Sequence, residues 1–217
     1  MRRLLPILAL LLIPAALHAR DLELFVGARG AYTLSHGFVD QFDTHRVASP
    51  HVGVAFEFLP DWLLEVSYAS SHAGGTVFSS FTTDWYAHAA QLGVRYSWPV
   101  LSWLRPYGRV TGGVTFERYR LQGPVLDLKA RQVGFEVTPL VGVELLWPTD
   151  ALATADGLFQ KATGGVYFEL GYRYARPFDV GSRVPSGGFE GASGVPLGLG
   201  AFDVQGFVFG GGIVGHF

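Results

Sequence analysis

Apolar and polar residues alternate with a period of two in eight segments of the chain. Successive side chains of a β-strand point to opposite faces, so this period predicts strands with one apolar and one polar face. In the clearest segment, Val166, Phe168 and Leu170 alternate with Tyr167 and Glu169. The predicted strands cover residues 22–32, 52–58, 62–68, 90–98, 109–117, 135–147, 166–174 and 207–217.

The charged side chains of these segments lie almost entirely opposite the apolar row. They are Glu23, Arg29, Glu57, Glu65, Arg95, Arg109, Glu117, Glu136, Glu144, Glu169 and Arg173. A soluble sandwich or ligand-binding barrel would bury the apolar row and expose the charges, whereas a membrane barrel would do the reverse. The alternation alone is compatible with both.

Aromatic residues at the strand ends favour the membrane barrel. Tryptophans flank the short connections, and tyrosines lie at the opposite strand ends: Trp62, Trp98, Trp103 and Trp147 against Tyr32, Tyr68, Tyr86, Tyr119 and Tyr174. Two such rows are typical of the two membrane interfaces. The fold class predicted is therefore all-β, a transmembrane antiparallel up-and-down β-barrel of eight strands, or ten if a long loop contains a hairpin.

The connections suggest an orientation. Short connections at 59–61 and 99–104 alternate with long ones, which cover residues 33–50, 70–84, 118–132 and 176–202. With both termini in the periplasm, the long connections become four external loops. The turn at 148–163 is long for the periplasmic side, and Pro139 inside the sixth strand predicts a bulge or local distortion.

The N-terminus reads as a secretory signal peptide. Arg2 and Arg3 precede an apolar run at 4–17, and small residues before Arg20 predict cleavage after Ala19. The run is too short for a spanning helix, which needs about 20 apolar residues. We expect a signal peptide at 1–19, a barrel domain at 20–217, and export through the periplasm to the bacterial outer membrane.

Composition narrows the possible functions. The chain has a net charge of −2, and removing Arg2 and Arg3 from its 16 Lys and Arg leaves 14 against 18 Asp and Glu, or −4. Nucleic acid, which requires a clustered basic face, is not an expected partner. There is no cysteine, so disulfides and thiolate metal sites are excluded. A mean hydropathy of +0.27 with few charges suits a lipid-facing barrel.

Three stretches resemble the OmpA-like and OmpW-like small outer-membrane barrels: Arg105-Pro106-Tyr107-Gly108, the run at 168–174, and the end of the chain at 206–217. The resemblance implies that Phe209, Ile213 and Phe217 form a signal read by the barrel-assembly machinery. Larger members of that family add a peptidoglycan-binding domain after the barrel. This sequence stops at Phe217, so we expect no cell-wall anchoring by that route.

The seven Glu and four Arg predicted to face inward are expected to pair within a narrow lumen, since unpaired burial of charge is costly. A path for protons or small solutes along Glu57, Glu65, Arg95, Arg109, Glu136, Glu169 and Arg173 is the alternative. An OmpW-like conduit for apolar solutes would need an apolar interior. Only Phe25, Leu63, Leu140 and Leu146 interrupt the polar rows.

Metal, cofactor and catalytic sites are not expected. Four histidines fall in or beside the first two predicted loops without the spacing of a zinc motif, so we expect them to be solvated loop side chains: His36, His45, His51 and His72. Ser71-His72 is the pair most similar to the Ser-His-acid constellation of the lipid A deacylases. A predicted mobile polar loop contains Ser70, Ser71, Ser79 and Ser80. The Gly-rich stretches lack the context of a phosphate-binding loop.

These patterns predict a structural or surface-interaction protein whose four external loops bind an unknown ligand, since long loops on a rigid scaffold usually carry recognition. The expected partners are outer-membrane lipid, lipopolysaccharide and the assembly machinery. The alternatives are the apolar conduit and, less favoured, a lipid A-modifying enzyme.

Overall fold

A computed structural model describes residues 22–77, 80–124, 126–147, 163–179 and 201–217. The predicted signal peptide and nearly all of the turn at 148–163 lie outside these residues. In chain order the elements are β1 (Leu22–Thr33), α1 (His36–Phe42), β2 (Arg46–Leu59), β3 (Trp62–Val77), β4 (Phe81–Ser97), β5 (Leu104–Gly123), β6 (Leu126–Leu146), β7 (Thr163–Ala175), β8 (Phe178–Asp179), β9 (Ala201–Phe202) and β10 (Gly206–His216).

Eight of these strands form a closed antiparallel barrel. Each strand from β1 to β6 pairs with the next, β7 pairs with β10, and β10 pairs with β1. The closing seam runs without a break from Glu23 opposite His216 to Thr33 opposite Gly206. The short strands β8 and β9 pair only with each other. Over the described residues the prediction of an eight-stranded, all-β barrel is therefore confirmed.

The barrel has an apolar exterior and a polar interior. Its outward rows leave large apolar side chains half exposed, among them Phe135 at 61%, Val141 at 64% and Leu170 at 57%. A continuous apolar belt of this kind would aggregate in water, because soluble proteins expose only small apolar patches. The barrel wall is therefore built to face lipid. Among the described residues, no helix is long and apolar enough to cross a membrane.

The aromatic residues predicted at the interfaces lie on this outer face, with one exception. Trp62, Trp98, Trp103, Trp147, Tyr32, Tyr68, Tyr86 and Tyr174 are each 40–56% exposed. The tryptophans all lie at one end of the barrel, where β3 and β5 begin and where β4 and β6 end. Tyr119 was expected in the tyrosine row but is 2% exposed. Its position belongs to the inward row of β5, so that expectation was wrong.

Two of the four predicted long loops are mostly strand. β3 and β4 pair up to Val77 opposite Phe81, which leaves little of 70–84 as a loop. β5 and β6 pair up to Gly123 opposite Leu126, inside the predicted loop at 118–132. The first connection contains α1 instead of an irregular loop, and β2 begins at Arg46. The barrel thus continues as paired hairpins beyond the tyrosine row.

The distortion predicted at Pro139 is present as a gap in pairing. β6 pairs with β7 at Val137 opposite Tyr174 and again at Leu140 opposite Gly171, with the same register on both sides. Pro139 has no N–H to donate, so the ladder is interrupted there without a bulge. The register shift in the described strands lies instead between Glu57 and Leu59 on β2.

Small residues make room for rings inside the lumen. A Cβ on Gly212 would lie 2.8 Å from the Tyr167 ring and 2.6 Å from the Gly27 Cα. A Cβ on Gly142 would overlap Tyr107, which lies opposite it on β5. The lumen is therefore filled by aromatic rings that lie over glycines of neighbouring strands, as in other narrow barrels.

Candidate functional site: the lumen and its outer mouth

The end of the lumen beside the tryptophan row holds two carboxylates around one guanidinium. Arg95 Nη1 donates to Glu144 Oε1 at 2.5 Å, and Arg95 also pairs with Glu23. His216 lies between the same carboxylates, with Nδ1 3.2 Å from Glu23 and Nε2 3.7 Å from Glu144. All four residues are less than 9% exposed. Because Glu23 and His216 are cross-strand neighbours, this cluster bridges the closing seam of the barrel.

The middle of the lumen contains a second ion-pair cluster. Arg109 Nη1 lies 3.1 Å from Glu65 Oε2, and Arg109 Nη2 pairs with Glu169. Arg29 Nε donates to the other oxygen of Glu169 at 2.6 Å. Tyr107 donates its hydroxyl to Glu169 at 3.3 Å. Four strands, β1, β3, β5 and β7, contribute to this cluster, so its ion pairs together join opposite walls of the barrel.

Hydrogen bonds dominate the third of the polar lumen that lies farthest from the Arg95 cluster. Gln91 donates to Glu136, and Thr115 donates to Glu117 at 3.1 Å. Arg173 donates to the backbone carbonyl of Val204 at 3.0 Å. These groups surround a cavity of about 30 Å³. Since one water needs roughly 10–15 Å³ in this measure, the cavity holds only a few waters.

An aromatic cluster closes the lumen above that cavity. Its members are Phe38 and Phe42 of α1, Trp85 of β4, Tyr119 of β5, Phe178 of β8 and Phe202 of β9, each at most 2% exposed. The rings contact edge to face, with centroids 5.9 Å apart for Phe38 and Trp85 and 5.3 Å apart for Phe42 and Phe202. Such rings remove large apolar areas from water. We call this group the aromatic seal.

Local sequence explains how α1 reaches the mouth. Ser35 caps the helix by accepting from the Phe38 backbone N–H at 3.4 Å, and Asp43 ends it with a left-handed φ of 50°. Thr83 Oγ1 donates to the Gln41 carbonyl at 2.7 Å, which fixes the helix against β4. The four-residue spacing of Phe38 and Phe42 puts both rings on one helical face.

Ten of the eleven predicted lumen charges are less than 10% exposed inside the barrel. They fall into the Arg95 cluster, the middle cluster and a third group that consists of Glu117, Glu136 and Arg173. Glu57 differs, because it is partly exposed at the rim beside the turn between β2 and β3 and accepts from the Asp61 backbone N–H at 2.9 Å. The four apolar residues that interrupt the polar inward rows are also buried, at 4–6% exposure: Phe25, Leu63, Leu140 and Leu146.

The histidines of the first two predicted loops do not converge. His51 is buried in the lumen against the Phe25 ring, and His45 stacks on Tyr32. His72 stacks on Tyr86 outside the barrel and lies 3.7 Å from Asp84. The expectation of solvated loop histidines was therefore wrong for His51.

Ser71 and His72 cannot act together. Ser71 faces the lumen, is buried, and shares a 2.5 Å hydrogen bond with Ser49 of β2. His72 is the next residue along the same strand and faces outward with half of its side chain exposed. Ser70 and Ser71 lie within β3, so their assignment to a mobile loop was wrong.

The described residues contain one cluster with metal-ligand geometry, namely Glu23, Glu144 and His216, whose ligand atoms lie within 4.8 Å of one another. Arg95 lies between the two carboxylates and pairs with both. A divalent cation would have to displace this guanidinium. The two carboxylates thus already share a cation of the protein itself.

Phe209, Ile213 and Phe217 lie on the lipid side at the end of the chain and are 39–55% exposed. They follow one outward row along β10, the strand that closes the barrel against β1. Ile213 and Phe217 of this row border a groove of about 410 Å³ on the lipid face, together with Trp147, Leu24 and Val26.

Sequence reasoning missed the aromatic seal. Phe38 and Phe42 lie in a segment whose polar residues suggested a solvated loop, and Phe178 and Phe202 are separated by a long Gly-rich stretch. The signal that could have revealed part of it is Ser35 followed by apolar residues at 38, 39 and 42, which is the pattern of a capped amphipathic helix.

The sequence matches no protein-family model and no curated protein. Three solved structures with similar folds are all small barrels. The attachment invasion locus protein Ail of Yersinia pestis is 10% identical, with 90% of this chain and 95% of that chain covered and a TM-score of 0.45. Neisserial surface protein A is 15% identical, with 90% of this chain and 93% of that chain covered and a TM-score of 0.39. The outer membrane protein OprG from Pseudomonas aeruginosa is 12% identical, with 92% of this chain and 96% of that chain covered and a TM-score of 0.48. These likenesses concern the barrel architecture, which the strand pairing of this chain establishes by itself.

Proposed function

We propose that this protein is a bacterial outer-membrane barrel with a closed lumen and a structural or surface-interaction role. The observation that carries the proposal is the double closure of the lumen. Ion pairs cross-link its walls at two levels, and the aromatic seal covers its outer mouth. A closed antiparallel barrel with an apolar belt is the form in which strands cross the outer membrane.

The proposal includes export and assembly. The predicted signal peptide at 1–19 would direct the chain to the periplasm. The outward row of Phe209, Ile213 and Phe217 would then be read by the barrel-assembly machinery before β10 closes on β1. Surface contacts would come from the hairpins of β3–β4 and β5–β6, which continue beyond the tyrosine row as paired strand.

Two alternatives have weaker support. An apolar conduit needs a continuous apolar path, but Phe25, Leu63 and Leu146 pack into a compact cluster that the middle ion pairs separate from the aromatic seal. A lipid A-modifying enzyme needs a nucleophile with an adjacent base, and Ser71 and His72 lie on opposite faces of the wall.

Single-channel conductance of the refolded mature protein in a planar bilayer tests the proposal. Heat-modifiable gel mobility confirms in the same preparation that the barrel has folded. We expect a folded but electrically silent barrel. Steady, reproducible openings would overturn the closed-lumen proposal and favour a conduit.

Cysteine labelling tests the aromatic seal directly, because the chain has no cysteine of its own. Ser71→Cys places a thiol in the lumen below the seal, and Ser70→Cys places one on the outer face as a control. A charged thiol reagent should label position 70 but not position 71. Adding Phe38→Ala and Phe42→Ala should expose position 71. Equal labelling of both positions without these changes would show that the mouth is open.

A further inference from the structure

A polar pocket of about 110 Å³ opens at the end of the barrel beside the tryptophan row. Its polar lining comes from the starts of β1 and β5, the ends of β2 and β4, and the turn after β2: Glu23, Arg105, Glu57, Ser97 and Asp61. The pocket is larger than the cavity of about 30 Å³ under the aromatic seal. Since one water needs roughly 10–15 Å³ in this measure, the pocket has room for several waters or for a small organic group.

Two hydrogen-bond donors in this pocket lack a partner among the described residues. Ser97 is 7% exposed, and its backbone N–H donates to the Asp61 carbonyl at 2.9 Å, but its hydroxyl makes no hydrogen bond with a described residue. Arg105 lies opposite Glu144 in the pairing of β5 with β6. Glu144 pairs with Arg95 instead, and Arg105 has no ion pair among the described residues. Because buried polar groups are almost always hydrogen-bonded, these two donors indicate an acceptor from outside the chain.

The same pocket carries two carboxylates, Glu57 and Asp61, that have no ion pair within the described part of the chain. Glu57 accepts from the Asp61 backbone N–H at 2.9 Å, which fixes it beside the turn. The third carboxylate, Glu23, already pairs with Arg95. Glu23 belongs to the described cluster with metal-ligand geometry, but Glu57 and Asp61 do not. The three carboxylates therefore do not converge on one point, as direct coordination of a single metal ion would require.

The geometry points to a binding site for a small zwitterion, the ammonium and carboxylate head group of an amino acid. Glu57 and Asp61 accept from the ammonium group, while Arg105 and the Ser97 hydroxyl donate to the carboxylate. A guanidinium group binds a carboxylate through two parallel hydrogen bonds, and bonds between charged groups are roughly twice as strong as neutral ones. A ligand with both charges therefore satisfies both sets of unpaired groups in the pocket, which an ion of either sign alone does not.

The remaining walls limit the size and the source of the ligand. Leu63, which is 5% exposed, and Pro99 supply the apolar part of the lining and would contact the carbon atoms of the head group. The pocket holds little more than that head group, so a longer side chain would extend from the mouth into solvent. Binding here requires no passage through the lumen. The inference therefore goes beyond the closed-barrel proposal and does not depend on it.

Saturation-transfer difference NMR of L-alanine, titrated onto the folded barrel in micelles of a non-ionic maltoside, tests the site. We expect a saturable signal from the unchanged protein. Arg105→Gln removes the charged donor and should weaken binding about 10-fold or more, since hydrogen bonds to charged groups are the stronger ones. Ser97→Ala should weaken it about 5-fold, as expected for one neutral donor. The matched control is Arg46→Gln, which removes an exposed arginine at the start of β2 and should bind like the unchanged protein.

Two probes with a single charge distinguish a zwitterion site from a site for a simple ion. Ethylammonium and acetate each satisfy one half of the pocket and should bind about 10-fold more weakly than alanine. Ethylammonium that binds as tightly as alanine, or alanine binding that Arg105→Gln leaves unchanged, would overturn the zwitterion site. So would the absence of a saturable alanine signal from a barrel whose heat-modifiable mobility shows that it has folded. Conductance tests the closed lumen separately, so the two proposals can fail independently.

Discussion

Replacing Arg109 by glutamine removes a cation that pairs with two carboxylates in the middle of the lumen. Arg109 is 3% exposed and contacts Glu65 and Glu169. Glu169 keeps Arg29 at 2.6 Å and the Tyr107 hydroxyl at 3.3 Å. Glu65 is 0% exposed, and Arg109 is its ion-pair partner within the described residues. The cost of this substitution should therefore arise mainly at Glu65.

Breaking a buried ion pair by removing one partner costs about 3–5 kcal/mol, because the other charge remains buried without compensation. With a urea dependence of about 2 kcal/mol per molar, a loss of that size lowers the unfolding midpoint by roughly 2 M. Tryptophan fluorescence during urea unfolding in detergent, together with heat-modifiable mobility, measures the change.

The double variant Arg109→Gln/Glu65→Gln distinguishes charge from packing. Removing both charges leaves two neutral amides that can hydrogen-bond, so most of the lost stability should return. Arg120→Gln, which alters an exposed ion pair with Asp127, should leave the midpoint unchanged within error. An Arg109→Gln barrel as stable as the unchanged protein would refute the reasoning. So would a double variant that is less stable than the single one.

Two other predictions concern packing and surface charge. Gly142→Val should destabilise the barrel by about 1–3 kcal/mol, because a side chain there overlaps Tyr107. The control Gly108→Val, on the lipid face, should change the stability little. Equal urea midpoints for the two variants would contradict this prediction. Hydrogen bonds from Arg120 and then Lys129 lower the pKa of Asp127 from 3.8 to about 2. The hairpin stabilisation from this carboxylate should therefore be complete above pH 3.8 and disappear as the pH falls through 2. NMR titration of the Asp127 carboxyl should show the low midpoint, and Arg120→Gln should move it back towards 3.8.

Alternation along the chain was sufficient to predict the eight strands, their inward charges and their lipid-facing rows. The reason is that one face of each strand meets lipid and the other meets the polar lumen. Between the aromatic rows, every residue is therefore either apolar and outward or polar and inward, with few exceptions. Beyond those rows both faces meet water. There the alternation weakens, and the sequence at 70–84 and 118–132 looked like loop although backbone pairing extends both hairpins.

Tertiary structure decided how the lumen is closed. The sequence supplied the inward Glu and Arg residues, but the register and stagger of distant strands determine that Arg95 pairs with Glu144 whereas Arg109 pairs with Glu65. The aromatic seal depends on contacts between α1, β4 and β9, which are far apart in the chain. No local pattern encodes such contacts, because each ring gains its burial only when the closed barrel provides a mouth to fill.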